Sequence, residues 1–443
     1  MPGPTPTPVA SDSDLPSKVD IVVIGGGIIG CCAALELAER GQSVLLCEKG
    51  QIGGEQSSRN WGWVRVSLRD PKEIPLMLEA TRIWDGLAER CQKDLGFARS
   101  GILFAARSEK QMADYEAWAR HLDNRGFPVR MLGHAAVRDL LPGGAEPLMG
   151  GLWTPQDARA EPQWAAPAIA EAARAHGAKV MTGCAVRSVD LSAGRISGVV
   201  TEKGRVACDH VVLAGGAWSR LFAGNAGFDL PQLKVRNTVL RTKPHTSGPE
   251  TTVWSADYAI RRRADGGFTI ACGTENTVDL VPDSLRLARR FWPAFLAERS
   301  SLRFRLSRRA LEEARERRRW TPDQATPFEA TRILDPEPLP RIVQSSLKGA
   351  QAAFPALAGA QVAQTWAGMI DVTPDALPVI SGVDDVPGLT IGTGFSGHGF
   401  GIGPGAGRLL ADLVTGTTPM VDPTPFRFSR FSDGSKLRPD SGF

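Results

Sequence analysis

The 443-residue sequence predicts an α/β fold in which a mostly parallel sheet is interrupted by a second domain built on an antiparallel sheet. Three observations predict it. A short β-branched run, DIVVI (20–24), passes through a glycine turn into a helical pattern and then a second apolar run, SVLLCE (43–48). Between 231 and 275 the pattern changes to short strands separated by tight turns. After residue 358 the chain returns to glycine-rich turns followed by a helix.

Asp20 to Ile24 reads as a strand buried on both faces. It enters Gly25-Gly26-Gly27-Ile28-Ile29-Gly30, a G-x-G-x-x-G turn, and CCAALELAERG follows as a helix closed by Gly41. Gly25 permits the turn, Gly27 lets a pyrophosphate approach the backbone, and Gly30 lets helix and strand pack closely. The helix N-terminus offers free N–H groups and partial positive charge to phosphates. Glu48, 18 positions beyond the last glycine, ends the second strand, where a carboxylate accepts hydrogen bonds from ribose hydroxyls. This is a Rossmann-type unit, and Glu48 favours FAD or NAD over NADP.

Segment 50–70 (GQIGGEQSSRNWGWVRVSLRD) has neither helical nor strand period, and a loop of that length in a compact domain is usually functional. Helical patterns follow over 75–93, 108–125, 134–140 and 161–176, with a strand at 101–106. AKVMTG, AVRSVDL, RISGVVTEKG and HVVLAGGAWS read as strands, the last running into Gly215-Gly216. VRNTVLRTK, TTVWSAD, YAIRRR and FTIACGTE are the antiparallel set. Residues 283–319 read as helical and carry twelve Arg against five acids, a solvated face or a site for acidic partners. A Pro-rich connection (321–340) leads to one more helix over 341–357. The boundaries give a disordered lead (1–17), a dinucleotide-binding domain (18–100, 155–230 and 358–425), a second domain (101–154 and 231–357) and a loosely attached tail (426–443).

Composition excludes other classes. Gly and Pro make 80 of the residues, which marks a loop-rich globular chain. A net charge of +4 is too small for a whole-molecule nucleic-acid footprint. No apolar run reaches the ~18 residues of a transmembrane segment. The N-terminus lacks the basic start and apolar stretch of a signal peptide. Seven scattered cysteines, none in a CxxC pair, argue against a disulfide framework or a zinc site, so no metal is expected. A cytoplasmic enzyme with buried thiols is the expectation.

Five stretches in this order resemble the FAD-dependent D-amino-acid oxidase superfamily, which includes glycine oxidase, sarcosine oxidase, D-amino-acid dehydrogenase and the γ-glutamylputrescine oxidase group. They are IVVIGGGIIG with Glu48-Lys49, SSRNWGWVR (57–65), AVRSV with HVVLAGGAWS, YAIRRRADGGFTIACGTE, and WAGMIDVTPDALPVIS with GTGFSGHGFGIGPGAGRLLADL. The resemblance implies FAD along the first domain and an antiparallel substrate domain roofing its flavin. Gly25, Gly27, Ile28, Ile29 and Gly30 would line the pyrophosphate, and Glu48 and Lys49 would meet the adenosine ribose. Ser57, Ser58, Asn60 and Trp61 would run beside the pyrophosphate and flavin, with the Val186 backbone at the adenine. Gly215, Trp218 and Gly368 complete the cofactor set. Gly397, His398, Gly399, Phe400 and Gly401 would close over the isoalloxazine, with a helix following from about Gly405.

Two departures bear on chemistry. The stretch Trp366–Asp371 lacks the cysteine that tethers flavin in sarcosine-oxidase relatives, so non-covalent FAD is expected. The Arg-Pro pair that clamps a substrate carboxylate in relatives is Ile370-Asp371 here, and the sarcosine-type Lys is Gly401. Either Arg65, Arg261 or Arg263 takes the carboxylate, or the substrate is a cationic amine facing Asp371. His398, Trp63, Trp254 and Tyr258 are further candidates for the substrate pocket. The implied reaction is oxidation of the C–N bond of an amine or amino acid by hydride transfer to flavin N5, giving an imine that hydrolyses. O₂ or a quinone or other acceptor would take the electrons. A 2-hydroxy-acid dehydrogenase and an electron-relaying flavoprotein subunit are the alternatives. A homo-oligomer is compatible, and no nucleic-acid partner is expected.

Overall fold

The structure is a computed structural model and describes residues 3–440. β1 (Ile21–Ile24) passes through the glycine turn into α1 (Ile28–Glu39) and β2 (Val44–Cys47). The chain leaves through α2 (Ile74–Cys91) and β3 (Ile102–Ala106), and returns with α3 (Pro162–Ala175), β4 (Lys179–Met181) and β5 (His210–Leu213). β6 (Leu233–Thr242), β7 (Ala259–Arg262), α4 (Ala288–Glu298) and β8 (Leu302–Arg305) form part of the second domain. β9 (Val362–Val372), β10 (Val379–Gly382), β11 (Leu389–Thr393) and α5 (Gly399–Thr415) bring the chain back.

The first sheet runs β10-β11-β5-β1-β2-β4, parallel except at β10. All four residues of β1 are buried, as a central strand covered on both faces requires. α1 packs against α3 and α5 and is almost wholly buried. Small residues allow this approach: a Cβ on Gly30 would sit 2.0 Å from the Gly25 carbonyl oxygen, and one on Gly407 of α5 would sit 2.3 Å from Cys32 Cβ. Gly25 itself adopts φ +108°, and a side chain there would meet the Ala214 carbonyl oxygen at 2.4 Å.

The second sheet has ten strands and is mixed, with most neighbours antiparallel. β9 pairs with β6 along its whole length, from Val372 opposite Leu233 to Val362 opposite Thr242. This moves a stretch expected in the dinucleotide-binding part into the second sheet. β9 therefore crosses between the domains, and its Gly368–Val372 end meets both.

Three other expectations change. The Arg-rich stretch is not one helix: α4 contains Pro293, and after Ser300-Ser301 the alternation Leu302/Phe304/Leu306 against Arg303/Arg305 has a strand's period of two and forms β8. The lead from residue 3 is laid against the first domain: Thr7 N–H donates to the Gln163 carbonyl at 2.9 Å, and Asp12 exchanges bonds with Val180. The tail is also tied down, with Phe426 buried and Arg430 paired to Asp375 at 2.8 Å. Residues 1–2 and 441–443, parts of the expected lead and tail, lie outside the described residues.

Candidate active site

The turn after β1, the loop 48–61, the β5 end with Gly215–Trp218, and the β9–α5 region surround one crevice made of three adjoining cavities. The first lies between Gly25, Gly27, Glu48, Val186, Gly215 and Trp218. The second lies between Ile28, Ile29, Ser57, Asp371, Gly397 and Gly399. The third is the largest, about 1450 Å³ including its mouth, and is lined by Asn60, Trp61, Gly368, His398, Phe400 and Gly401 together with aromatic residues of the second domain. Gln56 borders all three.

At the first end the Glu48 carboxylate accepts N–H bonds from Gly26 and Gly50, both at 2.7 Å, which fixes it at the rim of the cavity. Burial pushes its pKa up, and the neighbouring Lys49 and these N–H donors oppose the shift. Lys49 lines the same cavity, with its ammonium bound to Glu55 at 2.7 Å and to the Thr331 and Arg332 carbonyls, 4.5 Å above the Trp218 ring. α1 starts from Gly27, which brings no side chain of its own, and Ser57 Oγ accepts from Ile28 N–H at 2.8 Å. Ser58 is buried outside the crevice and donates to the Glu55 carbonyl. Gly30 serves helix packing and does not line the crevice.

These residues fit a dinucleotide. The cradle at Gly25, Gly27 and Gly215 is side-chain-free, and α1 points its N-terminus at it. The buried Gln56 Oε1 has no hydrogen-bond partner where the three cavities meet. FAD would lie with adenosine between Glu48 and Val186, its phosphates at Gly27 and Ile28, and its ring system against Asn60, Gly397 and Phe400. α5 begins at Gly399, six residues before the expected start near Gly405, so its N-terminus faces the crevice.

The third cavity has an aromatic wall. Trp61 and Trp63 meet edge to face at 5.3 Å, Trp63 meets Phe104 at 6.2 Å, and Phe104 meets Trp254 at 5.7 Å and Tyr115 at 6.3 Å. Arg65 also lines it, with its guanidinium 5.5 Å over the Phe104 ring. Arg65 donates to the Ser67 carbonyl and, at 3.4 Å, faces His398 Nε2. No carboxylate lies within ion-pair distance of it among the described residues, and burial with the nearby Arg69 lowers its pKa to about 9. His398 Nδ1 faces Glu73 Oε2 at 3.2 Å. Burial and the Arg69 cation push the His398 pKa down to about 4, so the ring is neutral at pH 7.

Tyr258 does not join this site. It sits on the opposite face of the second sheet, donates to Glu146 at 2.8 Å and packs on Phe354. Tyr115, from a helix over Glu109–Ala119, is the phenol that lines the cavity. Arg261 and Arg263 are committed to Glu161, at 2.8 and 3.7 Å. Asp371 borders the middle cavity instead of the aromatic one, and its carboxylate accepts from Gly394 N–H at 2.7 Å, Gln232 and Thr393. Burial raises its pKa to about 6. Gln56, Arg69, Glu73, Phe104 and Tyr115 are site residues that sequence reasoning missed. GILFAA reads as a strand that is apolar throughout, so nothing in it singled out Phe104 for the site.

The family model for FAD dependent oxidoreductases matches residues 20–413. The solved structure of L-amino acid deaminase from Proteus myxofaciens in complex with anthranilate superposes with a TM-score of 0.93 at 32% identity over 98% of each chain. The 4-methylaminobutanoate oxidase (formaldehyde-forming) of Paenarthrobacter nicotinovorans is 26% identical over 427 residues, 95% of this chain and 47% of that protein. Mitochondrial sarcosine dehydrogenase of Mus musculus is 24% identical over 440 residues, 97% of this chain and 43% of that protein. The chain thus spans less than half the length of these two curated relatives.

Proposed function

The chain belongs to the family of FAD dependent oxidoreductases, and on that premise we propose that it oxidises the C–N bond of an amino acid carrying a large apolar side chain. The carrying observation is Arg65, a guanidinium on the wall of an aromatic cavity with no carboxylate partner of its own among the described residues. A buried cation is stabilised by an anion it can bind bidentately, and a substrate carboxylate supplies one. The aromatic wall from Trp61 to Trp254 offers the matching apolar surface. The Proteus myxofaciens relative, solved with an aromatic carboxylate, supports the same pairing.

Bound in the crevice, FAD supplies a hydride acceptor at its N5. Arg65 would hold the substrate carboxylate at the wall of this cavity, and the Ser67 carbonyl and neutral His398 hold Arg65. With FAD bound, the free amine's lone pair would assist loss of the α-hydrogen as hydride while an N–H proton passes to solvent, and water would hydrolyse the imine to an oxo acid and ammonia. The N-terminus of α5 places partial positive charge beside the flavin end. A cationic amine read by Asp371 is disfavoured, because that carboxylate is used by Gly394, Gln232 and Thr393.

Anaerobic mixing with a panel of amino acids, amines and 2-hydroxy acids tests the reading. Aromatic and large apolar amino acids are expected to bleach the flavin absorbance. Arg65→Gln is expected to lower kcat/KM by about 10- to 100-fold, the worth of a charged hydrogen bond. Bleaching by amines without carboxylates at equal rate, or by hydroxy acids alone, overturns it.

A further inference from the structure

We propose that the face formed by α4 and β8 docks onto a bilayer surface bearing anionic headgroups. Among the described residues, seven of the eleven exposed large hydrophobic side chains fall between Leu280 and Leu311. Leu306 is 82% exposed and Trp292 57% exposed. They do not stand alone. Trp292 meets Phe295 at 5.3 Å and Phe295 meets Phe304 at 5.7 Å, so helix and strand share one apolar face. Leu296, one turn along α4 from Trp292, extends it. A contiguous patch of this kind on a chain surface marks an interaction site.

The surrounding charge selects the partner. Arg289, Arg299, Arg303 and Arg308 are exposed, and none has a carboxylate within ion-pair distance among the described residues. Arg286, Arg290 and Arg305 nearby are already paired with acids. Arginine stems lie along apolar surface and carry the guanidinium to the level of headgroup phosphates, while Trp, Phe and Leu enter the acyl boundary. No helix among the described residues is long and apolar enough to cross a membrane, so this contact is with the surface. The same strand supplies Leu302 to the aromatic cavity, and Phe291 of α4 packs in one cluster with Leu302. Docking would therefore seat the cavity wall against the bilayer.

The test is flotation of the FAD-loaded protein with phosphatidylcholine vesicles, with and without phosphatidylglycerol. Co-flotation with the anionic vesicles, weakened by salt, is the expected result. Arg303→Glu and Arg308→Glu should each lower partitioning by about fivefold or more. Trp292→Ser with Phe304→Ser should abolish it while flavin content stays unchanged. As a check that does not strain the fold, brominated acyl chains should quench tryptophan fluorescence, and Trp292→Phe should remove that quench. Absence of binding to anionic vesicles overturns the proposal. So does a dimer that the serine pair converts to monomer without any vesicle binding, since the face then joins two copies of the chain.

Discussion

His398 shows how much one residue depends on its neighbours. Its sequence context, a glycine-dense turn, announces only close approach to something flat or charged. Folding adds Glu73 on one nitrogen, Arg65 on the other and Arg69 nearby. The folded pKa of about 4 lies below the ordinary 6.5, so the unfolded chain takes up the proton first. Stability contributed by the neutral ring is present above pH 6.5 and is lost as pH falls towards 4. Thermal melts across that window should show a falling midpoint, and His398→Asn should flatten this part of the slope. Had the ring been held as imidazolium, the slope would have the opposite sign. Spacing alone pointed to the glycines at 25, 27 and 30 and to Glu48, whereas Trp61 was offered only by the resemblance; all five border the crevice or the packing beneath it. Tyr258 was expected in the pocket because a strand's alternation does not say which face meets the site, and Tyr115 was missed because nothing in its helix marked it.

Between elements, the informative contact is Glu161 at the start of α3 with Arg261 of β7. The two carboxylate oxygens meet Arg261 at 2.8 and 3.1 Å, and one also accepts from Ala264 N–H at 2.8 Å. Arg261 donates to the Trp61 carbonyl as well. One buried pair thus joins the first domain, the second sheet and the flavin-side loop. Arg261 and Arg263 draw the Glu161 pKa down to about 2 against the effect of burial. Glu161→Gln leaves Arg261 buried and unmatched, a change that typically costs about 3–5 kcal/mol. Denaturant titration should show that loss, and a change below about 1 kcal/mol would deny the pair its role. Sequence periodicity located most of these elements. It failed in 283–319, where helix-forming Arg and Glu masked the alternation that makes β8, and at 358, where β9 carries a signal for a strand but none for its sheet.

For the whole molecule, the crevice is assembled from stretches near residues 25, 57, 215 and 397, which belong to separate passes of the chain. A ligand touching all of them stabilises the folded state only. Removing FAD with chaotrope should therefore lower stability, by about 2.7 kcal/mol relative to protein held at a hundredfold excess over Kd. Acid precipitation of the loaded protein should release the yellow colour into the supernatant. Colour retained in the pellet would mean a covalent tether, and Cys272, the half-buried cysteine on the aromatic cavity, would be the first place to look. The fold class was legible because strand–turn–helix grammar is local. The path by which β9 crosses between sheets was not, since it is fixed by long-range pairing with β6.

That β11 enters the first sheet beside β5, followed at once by the loop and helix that face the flavin end, has a consequence for biogenesis. While the ribosome is still reading the codons for the middle of the chain, the phosphate turn has already emerged, but the other side of its crevice does not yet exist. Capture of the vitamin-derived group must then wait until the stretch around Gly397–Gly399 has been made, so a yellow molecule certifies that both walls of the crevice are present.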